Sequence, residues 1–140
     1  MKKSFLGNLF YLFCTALFVS CNSTSALQVG ELRCESLVNP LGIDNTSPHL
    51  SWILTSNEQG EEQHAYQVLV ASSEKLLSER KADLWNSGKI VSEQSTGLLY
   101  QGKPLTSKDM AYWKVRVWDK EGKATDWSKP ACFAIGLLKP

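Results

Sequence analysis

The segment 112–119, YWKVRVWD, constrains this chain more than any other stretch. Successive side chains of a strand point to opposite faces, so Trp113, Val115 and Val117 share one face and Tyr112, Lys114, Arg116 and Trp118 the other. Both faces therefore carry large side chains. The same period of two returns over 65–71, where Tyr66, Val68 and Val70 alternate with Gln67 and Leu69, and this segment is expected to be central in its sheet. Shorter stretches of strand character cover 32–37, 49–55 around Leu50-Ser51-Trp52, 84–89, 97–101 and 131–135.

The strand segments are separated by Gly, Pro, Asn, Asp and Ser, as in Asn39-Pro40-Leu41-Gly42, Gly102-Lys103-Pro104 and Asp119-Lys120-Glu121-Gly122. One short helical turn is expected at 74–79, with Ser72 and Ser73 offering N-cap oxygens and Leu76 and Leu77 closing one end of the core. About seven strands at this spacing predict an all-β fold: an antiparallel two-sheet β-sandwich of fibronectin type III or immunoglobulin-like build. A length of 140 residues fits one such unit.

The N-terminus belongs to a different process. Lys2 and Lys3 precede an apolar run from Phe5 to Val19, too short and too interrupted by Gly7 and Asn8 to span a bilayer, so residues 1–20 read as an export signal. Phe18-Val19-Ser20-Cys21 resembles the lipobox of bacterial lipoproteins, with Phe18 where Leu is typical. That resemblance implies lipidation of Cys21; Asn22-Ser23-Thr24-Ser25 is small and polar, so residues 21–30 are expected as a lipidated cysteine and flexible tether, ahead of a sandwich over 31–138. The expected location is the bacterial cell envelope, membrane-anchored on the periplasmic side or at the cell surface. An ordinary secretory signal cut after Ala26 is the alternative, and it also exports the domain.

Removing residues 1–20 takes two of the 15 basic residues and none of the 14 acidic ones. No basic stripe remains to hold a phosphate backbone, which excludes nucleic acid as a partner. His49 and His64 are isolated, Asp119 and Glu121 lack the spacing of a calcium loop, and no nucleophile elbow or phosphate loop occurs. No metal, cofactor or catalytic residue is expected. Asp44, Asp83, Asp109, Asp119 and Asp126 read as turn formers rather than as a hydrolytic pair.

Five motifs carry a family resemblance. Val38-Asn39-Pro40-Leu41-Gly42-Ile43-Asp44, Pro48-His49-Leu50-Ser51-Trp52, Tyr66-Gln67-Val68-Leu69-Val70-Ala71-Ser72, Asp83-Leu84-Trp85-Asn86-Ser87-Gly88-Lys89, and the 112–119 strand with Asp126-Trp127-Ser128 resemble, in order and spacing, the N-terminal sandwich domain of bacterial α-L-rhamnosidases. The resemblance implies a non-catalytic accessory domain of a large glycoside hydrolase whose carboxylates lie in a later helical toroid. The partners it implies are downstream rhamnosidase domains, in the same or a separate chain, and the chain looks like a fragment, a split gene or a truncated reading frame. A freestanding carbohydrate-binding or protein-interaction lipoprotein is the competing function.

The candidate interaction face is Tyr112, Lys114, Arg116 and Trp118, suited to cation–π packing within the sheet, to docking a neighbouring domain, or to weak carbohydrate binding. Trp52, Trp113 and Val115 are assigned to the core. Alternation turns Leu32 and Cys34 inward, and turns Cys132 outward between Ala131 and Phe133, so two free thiols are expected within the fold.

Overall fold

The computed structural model describes residues 23–139. Nine strands and one 3-10 turn follow in order: β1 (Leu27–Cys34), β2 (Leu41–Ile43), β3 (His49–Ser56), β4 (Gln63–Ala71), the turn Glu74–Leu76, β5 (Trp85–Asn86), β6 (Ile90–Val91), β7 (Leu98–Leu99), β8 (Met110–Asp119) and β9 (Ala131–Ile135). They form two sheets, a smaller one ordered β1-β3-β7 and a larger one ordered β2-β9-β8-β4-β5, with β6 also on β4. The expected sandwich is therefore present, with two additions: the short β2 and β6 raise the strand count above seven, and β2 runs parallel to β9 in an otherwise antiparallel structure.

The core fills the space between the sheets. Leu50 and Trp52 from the smaller sheet meet Val68, Val70, Trp113, Val115, Val117 and Phe133 from the larger, all essentially inaccessible to water. These are the inward sets expected from the alternation of β4 and β8. The buried Trp52 indole donates to Gln63 Oε1 at 3.0 Å, and the Gln63 amide in turn donates to the Ser92 and Gln94 carbonyls, so this buried polar group leaves no loose end.

The first strand starts earlier than the alternation suggested. Leu27 is buried and paired with Ser56, and Ser25 is buried too, so the end of the stretch expected to be tether lies in the sheet. A β-bulge between Gly30 and Arg33, with Glu31 at φ 37°, moves the inward phase from Leu27 to Leu32 and Cys34. That slip breaks the period of two and hides the first half of the strand.

The helical turn falls where expected but is shorter, and its leucines pack elsewhere than expected. Only Glu74–Leu76 is 3-10, and Ser73 makes no side-chain cap. Ser72 instead clips the loop to Asp83, its N–H donating to Oδ1 at 2.9 Å and its hydroxyl to Oδ2 at 2.6 Å. Leu76, Leu77 and Ala82 do not close an end of the main core; they pack on Leu69, Ala71, Tyr112 and Trp127, outside the larger sheet. A second, smaller core results.

Candidate functional site

The outer face of the larger sheet holds the site, and β8 builds it. Alternation delivers Tyr112, Lys114, Arg116 and Trp118 to this face, all half-buried. Only the first half of β8, up to Trp113, pairs with β9. Beyond it the segment 124–130 runs alongside, and two hydroxyls complete the ladder: Ser128 Oγ accepts from the Val115 N–H at 3.0 Å and Thr125 Oγ1 from the Val117 N–H at 3.1 Å. Both residues are buried. Trp127, held between them in sequence, is thereby laid across β8.

The result is a stack of alternating cations and indoles. Lys114 Nζ lies 5.0 Å from the Trp127 ring centroid, the Arg116 guanidinium 4.6 Å from Trp127 and 4.9 Å from Trp118, and Lys89 Nζ 4.8 Å from Trp118. Arg116 is fixed in the plane of the sheet as well. Its Nε and Nη2 donate to Gln67 Oε1 at 3.1 and 2.9 Å, and Nη2 also pairs with Glu79 from the loop beyond the 3-10 turn. Gln67 Nε2 passes the chain on to Asn86 Oδ1 at 3.0 Å. Burial lowers the Lys114 pKa; Glu79 opposes that shift and Arg116 adds to it.

Tyr112 belongs to the same face but lies under the Leu76–Leu77 cover rather than in the stack. Sequence reasoning left out Gln67, Glu79, Lys89 and Trp127 as members of the site. Trp127 had a signal, the Asp-Trp-Ser motif, whereas Glu79 and Lys89 reach Arg116 and Trp118 only through the path of the chain after β4. A sugar ring stacks on an open indole face. Here each of the two indoles already holds two cations within 5.0 Å of its ring centroid.

The carboxylates do not assemble into hydrolytic machinery. Glu35 and Asp44 line one surface cleft, yet Glu35 Oε1 accepts from the His49 N–H at 2.6 Å, from Asn45 Nδ2 at 3.1 Å and pairs with His49 Nδ1 at 3.2 Å. The His49 backbone bond foremost, outweighing desolvation together with the His49 ring and Asn45, holds Glu35 below the usual carboxylate range, whereas a general acid needs the opposite shift. Asp83 moves down through its bonds to Ser72. Asp119 moves down because bonds from Ser25, Lys123 and Glu121 outweigh its burial. Asp119, which accepts from the Glu121 and Lys123 N–H groups, and Asp109, which accepts from the Thr106 N–H at 2.7 Å, serve turns as expected, whereas Asp83 ties its loop back to Ser72. No group of three or more metal-binding side chains occurs among the described residues. Cys21 lies outside them.

Fold and site together define an immunoglobulin-like sandwich whose polar side chains brace the sheets. The chain belongs to the family described as the Rha78A-like, N-terminal immunoglobulin domain, whose model matches residues 29–139. It is 42% identical over 135 residues to an alpha-L-rhamnosidase of Formosa agariphila, covering 93% of this chain and 14% of that protein. It is 45% identical over 114 residues to an alpha-L-rhamnosidase of Streptomyces avermitilis, covering 81% of this chain and 11% of that one. The crystal structure of the Streptomyces avermitilis alpha-L-rhamnosidase complexed with L-rhamnose superposes with a TM-score of 0.76 at 43% identity, over 79% of this chain and 11% of the other. The chain thus spans a small part of the length of the relatives it matches.

Proposed function

We propose that this chain is an exported, lipid-anchored, non-catalytic accessory domain for α-L-rhamnosidase activity, which supports the catalytic part and spaces it from the membrane. One observation carries the accessory role: the similarity takes in 93% of this chain but only 14% of its Formosa relative, so about six-sevenths of that alpha-L-rhamnosidase lies outside the matched segment. The lowered carboxylates of the sandwich agree with that division. The purified domain should leave aryl α-L-rhamnosides intact, and turnover that survives repurification and vanishes with one named carboxylate would refute the proposal.

The anchor rests on Ser20-Cys21 after the apolar run. Cys21→Ala should move the protein from the membrane to the soluble fraction; retention of the variant after carbonate extraction would place the anchor elsewhere. Carbohydrate binding through Trp118 is the competing function, and a glycan-binding assay on the purified domain separates the two.

A further inference from the structure

The cation–indole stack and the cover over Tyr112 occupy most of the outer face of the larger sheet, but one end is bare. There Leu41 of β2, Ala134 of β9 and Met110 of β8 stand side by side in register. Leu41 is 73% and Met110 37% exposed, and Leu137, just past β9, is 77% exposed. The arrangement needs Gly42 at φ 90°, which lets β2 turn Leu41 outward and Ile43, the partner of Ile135, into the core.

The chain leaves the domain at this same end, and it is fastened as it leaves. The Gly136 N–H donates to the Ile43 carbonyl at 2.8 Å, the Lys108 N–H to the Ile135 carbonyl at 3.0 Å, and the Leu138 N–H to Ser107 Oγ at 3.0 Å. Gly136 lies so close to β2 that a Cβ there would stand 3.0 Å from the Gly42 carbonyl oxygen. Leu138 packs on the main core. Polypeptide following Leu138 therefore begins, without slack, beside the apolar row.

We infer that the row Leu41–Ala134–Met110, with Leu137, is the seat of the polypeptide that follows this domain in α-L-rhamnosidases. The inference rests on the accessory role proposed above. The family description makes the domain N-terminal, so in such enzymes the remaining length follows the last strand, at the end where the row is bare. Large apolar side chains that cluster on an exposed face mark a protein contact. The stacked face around Arg116 is satisfied by its own chain and is not that contact.

Residues 23–139 are to be grafted in place of the matching segment of the Streptomyces avermitilis relative, with a photocrosslinking phenylalanine at position 41 or 110, or at the control positions 53 and 99. Ile53 and Leu99 are 44% and 42% exposed and belong to the smaller sheet. Crosslinks from 41 and 110 to the host polypeptide, and none from 53 and 99, are expected. The double variant Leu41→Lys, Met110→Lys should shorten the half-life of host activity at its inactivation temperature by roughly tenfold, while Leu99→Lys leaves it unchanged. Crosslinks from 53 or 99 alone, equal responses to the lysines, or a crosslink between two copies of the domain would each overturn the inference. A graft no more stable than the host lacking this segment would instead refute the accessory role itself.

Discussion

Gln67 and Arg116 are register partners on β4 and β8, and the Gln67 amide oxygen accepts two hydrogen bonds from the one guanidinium. Gln67 is 5% exposed, so its carbonyl has little water to fall back on. Replacing Arg116 by alanine leaves that acceptor unsatisfied and removes the cation shared by Trp118 and Trp127. The expected loss is about 3 kcal/mol, combining a charge-assisted pair with two cation–π contacts. Arg116→Lys should recover part of it, since an ammonium keeps the charge but not the fork. Equal urea midpoints for the three proteins would contradict the bracing role.

Gly102 is a steric requirement. A Cβ there would come within 2.6 Å of both the Leu84 carbonyl oxygen and Trp85 Cβ, and closer still to the Tyr100 hydroxyl, which donates to the Lys103 carbonyl at 2.7 Å. Gly102→Ala should lower stability by about 1–3 kcal/mol, the usual range for overpacking. Gly30→Ala, where the added carbon meets nothing within 4 Å, is the matched control and should cost far less. Thermal unfolding of the two variants decides it.

Cys34 and Cys132 are both free, as the alternation required. Cys34 is 1% exposed on the inner face of the smaller sheet, and burial, reinforced by the charge of Glu35, pushes its thiol up to about 12. A thiol reagent at pH 8 should therefore label Cys132 in the folded domain and reach Cys34 only on unfolding. Cys34→Ser should cost about 1–3 kcal/mol through a hydroxyl buried in the apolar core. Labelling of both thiols at one rate in native buffer would show the core to be open.

The tight turn after β1 carries two residues in the left-handed region, Glu35 at φ 50° and Ser36 at φ 65°, closed by paired Cys34 and Leu37 backbone bonds of 2.9 Å. The Glu35 carboxylate compensates by accepting from His49 and Asn45. Ser36→Gly should raise stability by up to about 1 kcal/mol, because glycine suits such a turn.

The same carboxylate makes a pH prediction. Its folded pKa lies below its ordinary 4.5, so its contribution is complete above that value and disappears as pH falls through the lower, folded one. The stability gap between the native domain and Glu35→Ala should be widest at neutral pH and shrink in acid. A gap that grows as pH falls through 4 would reverse the sign.

The sequence alone settled the face assignment of β4 and β8, the core positions of Trp52 and Trp113, the free thiols and the two-sheet architecture. For β4 and β8 a strict period of two over several residues admits one register, since a slip by one would expose the whole apolar set. It also held the family motifs. Tertiary structure decided what that period cannot encode. The bulge at Glu31 broke the phase of β1, and the parallel β2 is too short to show alternation. The 74–84 segment carries leucines whose partners, Leu69 and Tyr112, lie on strands distant in sequence. The site followed the same division: alternation put Lys114, Arg116 and Trp118 on one face, but only the return path of 124–130 along β8 could bring Trp127 against two of their cations.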